Sequence, residues 1–423
     1  MNDFFGELKE RGFVAQITNT GIEKALDQKG LTFYLGLDPT ADSLHIGHIV
    51  PIMLAAHLQK MGHKPIILVG GATGLIGDPS EKDRERPLLS KSQVEKNVVA
   101  IKGQVSRLLS FDGKNSAQIV NNADWLVSYR LIDFLRDIGK HFTINELLGR
   151  ESIKQRLTSR EQGISFTEFS YMMLQAADYL ELFQKYNCRL QIGGTDQWGN
   201  IIAGVDLIKR KLGKVAHALV VPLLTRSDGK KFGKTEAGAV WLDPDKTSPY
   251  QMYQYWLNVA DEDAVGFLKM FTFLPLEQIR TIANQAKKDP GQRLAQKALA
   301  CEFVSMIHGD EELAAITGAC QLLFGEEKDR VSDKELACLC SAAPQKEISQ
   351  KNLDLGLSID EAVVLAGLAG SKKEARRLID QGGVYLNNRR CRFEEKITKK
   401  DFISGKVVLL RAGKKRYSIL VLK

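Results

Sequence analysis

Short apolar runs alternate with helical patterns through roughly the first 220 residues. Segments 31–37 (LTFYLGL) and 65–70 (PIILVG) are almost continuously apolar and end in or next to glycine, as strands buried on both faces do. Between them, Ile46 to Met61 carries apolar residues at helical spacing. Strand, helix and strand within about 40 residues is the βαβ unit of a parallel sheet. Further strands are expected at Ala117–Val120, Cys188–Ile192 and Ala218–Val221. The economical architecture for residues 1–225 is α/β, a doubly wound parallel sheet of the Rossmann-like kind. Its ligand should lie beyond the carboxyl ends of the strands.

The pattern changes at Ser248-Pro249, a capping residue followed by proline at a helix's first turn. Residues 248–325 read as an all-α domain of short helices, including 262–271 and 276–287. Residues 326–352 are charged and weakly periodic, and read as a linker. From 353 to 423 a small α+β domain is expected. Ser358…Glu361 and Ser371…Glu374 are capping boxes that open short helices, the second stopping at Gly382-Gly383. Strands should follow at 384–386, 407–410 and 417–421, with a turn at Asn387-Asn388. In the second helix Lys372, Lys373, Arg376 and Arg377 fall at spacings that place several on one face.

Composition narrows the class. At 423 residues the chain suits two or three domains, and 44% hydrophobic with 26% charged residues is ordinary for a globular protein. No run of about 18 apolar residues suggests a membrane span, and the first residues resemble neither a signal nor a transit peptide. The six cysteines show no C-x-x-C pair, so free thiols in a reducing cytoplasm are expected. Charge is unevenly placed: Ser371–Lys423 holds sixteen Lys/Arg against five Asp/Glu, an excess of eleven, whereas the whole chain is only +8. The first 370 residues are therefore about −3 by difference, and the folded tail suits a polyanionic partner.

Two motifs carry candidate chemistry. His45-Ile46-Gly47-His48 follows the first strand and opens the first helix. Two imidazoles three residues apart share a face at a helix N-terminus, where free N–H groups and the dipole favour phosphate, and Gly47 lets a flat ring or backbone approach. The second motif is Lys230-Lys231-Phe232-Gly233-Lys234-Thr235, in a loop segment (226–247) after the strand ending near Val221. Lysines on such a loop can close over phosphates and then release pyrophosphate. In a doubly wound sheet both motifs reach the same carboxyl edge, which makes the pair far more specific than either alone.

Together they resemble the HIGH and KMSKS motifs of the class I aminoacyl-tRNA synthetases, with Gly233 where that family's loop has serine. Three segments resemble the tyrosine-specific branch: Tyr34 to Thr40, Tyr171 to Asp178, and Gln191 to Gln197. The resemblance implies ATP and L-tyrosine as substrates, magnesium on the ATP phosphates without a dedicated metal cage, and tRNA(Tyr) as acceptor. By the same resemblance, Tyr34 and Asp178 hold the substrate phenol, and Asp78, Tyr171 and Gln175 its ammonium. Gln197 meets the carboxylate, and Gly36, Asp38, Gly47, Gly194 and Asp196 the ATP or adenylate. Thr40, His45, Lys231, Lys234 and Thr235 meet the phosphates, with His48 near the ribose. The tail resembles the RNA-binding fold of ribosomal protein S-four type, implying that Lys372, Lys373, Arg376, Arg377, Arg389 and Arg390 contact tRNA. Helices 248–325 are expected at the anticodon stem or loop. A homodimer is implied, with residues 164–166 at its interface. The rival readings are the tryptophan-specific enzyme and an RNA-binding or splicing relative without catalysis.

Overall fold

A computed structural model describes residues 3–78, 89–149, 165–225, 227, 232–235, 238–324, 331–354, 356–413 and 416–423. The chain divides into two compact units, Met1–Thr247 with Leu257–Leu299, and Ser248–Trp256 with Ala300–Lys423.

The first unit is built on six strands: β1 (Gln16–Ile17), β2 (Thr32–Leu37), β3 (Lys64–Val69), β4 (Gln118–Asn121), β5 (Cys188–Gly194) and β6 (His217–Val221). Their order is β1-β6-β5-β2-β3-β4. Every pairing is parallel except that of the edge strand β1 with β6, which is antiparallel and was not anticipated from the sequence. The chain lays β3 and β4 on one side of β2 and returns to place β5 on the other. The strand order thus reverses between β2 and β5, which is where open parallel sheets bind ligands. The helix Ile46–Lys60 is enclosed nearly all round, with eleven of its fifteen residues buried.

Helices Asp261–Phe271 and Leu276–Lys288 also belong to this first unit. Arg11 explains part of this: it is 3% exposed and donates to the carbonyls of Lys269 (3.2 Å) and Leu274 (2.9 Å). The stretch 248–325, expected as one helical body, is therefore divided between the units.

The second unit holds a sheet of order β11-β10-β12-β13-β9, formed by β9 (Gln345–Ile348), β10 (Val384–Leu386), β11 (Arg389–Arg390), β12 (Val407–Ala412) and β13 (Arg416–Leu422). The presumed linker 326–352 needs correction. It contains the helix Asp333–Ala342 and the strand β9, which pairs parallel with β13. Leu336 and Leu339 of that helix share a core with Ala319, Leu322, Leu323, Val407, Leu409 and Ile419, an anchorage no local periodicity reveals. Ser371 caps the helix Lys372–Asp380 by accepting from Glu374 N, but the Glu374 carboxylate accepts from Gly370 N instead of closing the box. No described helix is long and apolar enough to cross a membrane.

Candidate active site at the strand-order reversal

Alternation along β2 puts Tyr34, Gly36 and the following Asp38 on one face of the sheet. Tyr34 is wholly buried, its ring 5.2 Å from that of Tyr179. Gly36 is the exposed residue of a strand otherwise buried but for half-buried Thr32, and a Cβ there would meet no atom within 4 Å. The face between Tyr34 and Asp38 is therefore open at that point. Gly70, at the end of β3, has the opposite reason to be glycine: a Cβ would stand 2.0 Å from Asp38 Oδ1 and 2.4 Å from Thr73 Oγ1.

The helix Phe166–Lys185 crosses this face with Tyr171, Gln175 and Asp178 at i, i+4 and i+7, and Ser165 and Glu168 form its capping box. Tyr171 donates its hydroxyl hydrogen to Asp38 Oδ2 at 2.7 Å, and Thr73 donates to Asp38 Oδ1 at 2.8 Å. Asn122 donates to Thr73 Oγ1 and to Asp178 Oδ2, both at 2.9 Å, while Trp125 Nε1 donates to Asp178 Oδ1 at 2.7 Å. Burial lifts the Asp178 carboxyl to about 8, against the Asn122 and Trp125 donors that pull it down. Burial, reinforced by nearby Asp178, also raises the Tyr34 hydroxyl well above its usual range. Among the described residues that hydroxyl has no hydrogen-bond partner, and neither has Gln191 Oε1 on β5, paired in register with Tyr34.

A second polar group closes the β5 side. Gln197 donates to Asp78 Oδ2 (2.6 Å) and Asp196 Oδ2 (3.0 Å), and Asn200 donates to Gln175 Oε1 (3.2 Å) and Gln197 Oε1 (3.3 Å). A Cβ on Gly194 would lie 2.3 Å from Asp196 Oδ1, so its small size lets that carboxylate fold back over the strand end.

The histidines occupy the next turn of the same edge, beyond half-buried Thr40. His45 caps its helix, its Nδ1 accepting from Gly47 N at 3.1 Å, and His48 Nδ1 accepts from His45 N at 3.3 Å. The two rings stack with centroids 3.8 Å apart. A neutral imidazole whose Nδ1 accepts carries its proton on Nε2, so both rings are donors there. The lysine loop is tied to this turn through its backbone. Ile46 N donates to Val240 O (3.0 Å) and Val240 N to Gly233 O (3.1 Å). Gly233 has φ +81°, and a Cβ on it would come 3.2 Å from Gly47 N. Phe232 anchors the loop's root between Phe267 and Phe271, at 5.0 and 5.3 Å. Lys234 and Thr235 pair with Ala239 and Gly238 in a two-stranded ribbon, whereas Lys231 lies outside the described residues.

Tyr34, Gly36, Asp38, Asp78, Tyr171, Gln175, Asp178, Gly194, Asp196 and Gln197 thus gather at the carboxyl ends of β2 and β5 and on the helix across them, with Thr40, His45, Gly47 and His48 on the segment that follows β2. Sequence reasoning missed Thr73, Asn122 and Trp125 and gave Gln191 no role. The one available signal was polar or amphipathic residues just after the carboxyl ends of β3 and β4.

Residues 26–325 match the family described as tRNA synthetases class I (W and Y), and residues 335–420 match the tyrosine–tRNA ligase SYY-like C-terminal domain. Fold and site define a class I tRNA synthetase of the tryptophan and tyrosine group. The tyrosine–tRNA ligase of Roseiflexus castenholzii is 47% identical over 99% of both chains, and that of Streptococcus suis 48% over 99% of both. Among solved structures, the C-terminally truncated mitochondrial tyrosyl-tRNA synthetase of Aspergillus nidulans superposes with TM-score 0.69 at 32% identity, covering 77% of this chain and 95% of its own. That of Coccidioides posadasii gives 0.66 at 34%, covering 75% and 91%. The chain belongs to the tyrosine–tRNA ligases.

Proposed function

We propose that the crevice between β2 and β5 is where this ligase joins tyrosine to ATP before the amino acid passes to tRNA(Tyr). One observation carries the assignment: the Tyr34 hydroxyl is fully buried without a partner among the described residues, and the buried Asp178 carboxyl lies close enough to raise its pKa. Buried polar atoms are normally satisfied, and leaving one unpaired costs about 1–3 kcal/mol. A substrate phenol would answer the Tyr34 hydroxyl and add a third donor to Asp178, which already accepts from Asn122 and Trp125. Phenylalanine leaves the Tyr34 hydroxyl unanswered; selection of tyrosine over phenylalanine by this family is the standing example of that rule. Asp178→Ala tests it: tyrosyl-adenylate formation should collapse while ATP affinity holds, and retained tyrosine activation would refute the role.

In this reading Asp78, Tyr171 and Gln175 hold the ammonium and Gln197 orients the carboxylate. Gly36, Asp38, Gly194 and Asp196 border the adenylate, and Gly47 leaves room for the nucleotide. The carboxylate attacks the α-phosphate in line and pyrophosphate leaves. The nucleophile is already ionised, so the step needs positioning and charge stabilisation, with no general base. Nε2–H groups of His45 and His48, Lys231 and Lys234, and the Thr40 and Thr235 hydroxyls would supply it. A terminal ribose hydroxyl of the tRNA then attacks the adenylate carbonyl, the acyl–phosphate C–O bond breaks, and AMP leaves with the tyrosyl ester formed. Among the described residues no group of three or more His, Cys, Asp or Glu side chains could hold a metal ion. Magnesium would come with the ATP phosphates, whose charge it would offset.

The C-terminal unit supplies RNA binding, through Lys372, Lys373, Arg376, Arg377, Arg389 and Arg390. All six are exposed. Lys372 and Arg376 pair with Glu361 and Asp360, and Arg389 with Glu395; Lys373 and Arg377 have no ion-pair partner among the described residues. A second copy of the chain is the proposed partner for an apolar face on the first unit, where Val127, Leu131, Ile132, Ile144 and Phe166 are all at least 60% exposed. Ile164 lies outside the described residues. Six unpaired cysteines support residence in a reducing cytoplasm.

A further inference from the structure

The loop after β11 buries two of its apolar side chains, Cys391 at 4% and Ile397 at 1% exposure, yet leaves the Phe393 ring 50% exposed. The loop is firmly held. Glu395 accepts from Arg392 N at 3.0 Å through its side chain and from Ile359 N at 2.9 Å through its carbonyl, and Ile397 N donates to Leu357 O at 2.9 Å. Glu394, beside the ring, sits at φ +68°, a left-handed conformation uncommon outside glycine. Arg376 flanks the ring, its guanidinium 5.8 Å from the centroid. That guanidinium is held in turn: its Nε donates at 2.8 Å to Asp360, which is 7% exposed. An aromatic face and a guanidinium are thus fixed side by side on the surface.

Resting on the RNA-binding reading above, we propose that Phe393 is a stacking platform for an unpaired base of RNA, with Arg376 completing the face. A nucleobase offers a π-face to the ring and to the guanidinium, and its phosphate meets the exposed Lys373, Arg377, Arg392 and Lys396. The surroundings fit this occupant. The ring's sequence neighbours Arg392 and Glu394 are exposed and charged, and among the described residues of the second unit Leu365 is the one other exposed large hydrophobic, which disfavours a protein hot spot or a membrane insertion.

The full chain and a tRNA(Tyr) transcript supply the test, with binding measured across a salt series. Phe393→Ala and Phe393→Leu should each lose about five- to a hundredfold in affinity, whereas Phe393→Tyr and Phe393→Trp retain it. The slope of log K against log salt should not change in any of them, because no charge is removed. The emission that Phe393→Trp gains over the parent's four tryptophans should be quenched at saturation by tRNA but not by a blunt RNA duplex. Tyrosyl-adenylate formation should match the parent in every variant. Leu binding as tightly as Phe, or unquenched tryptophan at saturation, overturns the proposal. Lys373→Ala and Arg377→Ala separate the two layers. If they weaken binding and flatten the salt slope while Phe393→Leu does nothing, stacking alone fails. If they too leave affinity unchanged, the RNA-binding reading fails and stacking falls with it.

Discussion

Tyr171 donates to Asp38 across 2.7 Å, and this single bond joins the helix Phe166–Lys185 to the end of β2. It is one end of a relay. The other Asp38 oxygen takes Thr73, Thr73 takes Asn122, and Asn122 reaches Asp178. The groups assigned to the adenylate and to the phenol are therefore set by one shared network. Small networks of this kind are strongly non-additive, because removing a member leaves a buried partner unsatisfied.

Tyr171→Phe should accordingly do more than remove one substrate contact. It takes away a donor from Asp38, and hydrogen bonds to charged groups are worth about 1.5–3 kcal/mol. Urea unfolding should show a loss of roughly 2 kcal/mol or slightly less, and tyrosine should bind more weakly. Unaltered stability would mean that Asp38 finds another donor.

Asp178 predicts a pH dependence. Its carboxyl, lifted by burial to about 8, keeps a proton that the unfolded chain has lost above its ordinary carboxylate range. The folded state then binds more protons between about pH 4 and pH 8, so this group's contribution to stability falls as pH rises through that window. A phenol hydroxyl donating to the ionised carboxylate favours the charged form and lowers its pKa. Tyrosine binding near pH 7 should therefore release most of one proton, and release should vanish above about pH 9. Calorimetry in buffers of different ionisation enthalpy reads this directly. Asp178→Asn should abolish it, and zero release by the parent protein at pH 7 would contradict the assignment.

Gly233 bears on the lysine loop. At φ +81°, with Gly47 N 3.2 Å from where a Cβ would sit, alanine is doubly disfavoured. The left-handed conformation alone costs about 1 kcal/mol. Gly233→Ala should slow adenylate formation by about five- to tenfold in stopped-flow traces while tyrosine affinity stays level. An unchanged rate would show that the loop's docking against the His45 turn does not matter for chemistry.

The apolar face on the first unit predicts assembly. Leu131 and Ile132, adjacent on one helix, are 68% and 72% exposed, and covering them with a second copy would remove that apolar surface from water. Light scattering should report a dimer for the chain and a monomer for Ile132→Asp. A monomeric parent protein would remove that reading.

The parts of this architecture written in local pattern were legible from sequence. Continuous apolar runs mark β2 and β3, and helical spacing marks Ile46–Lys60, so the edge bearing His45 is legible in the pattern alone. What depended on distant partners was not legible. Strand β9 is polar at three of four positions and becomes a strand only by pairing with β13, some 75 residues on. Leu336 and Leu339 look weakly periodic until β12 and β13 cover them. Asn122 and Trp125 are ordinary residues after a short strand, and matter only because Asp178 lies opposite. The two-residue β1 carries too little pattern to read at all.

The most direct test of the account is amino-acid-dependent exchange of labelled pyrophosphate into ATP, run in parallel with tyrosine, phenylalanine and tryptophan. The orphaned Tyr34 hydroxyl beside Asp178 predicts rapid exchange with tyrosine and almost none with the other two. No exchange with tyrosine, or comparable exchange with phenylalanine, would contradict it.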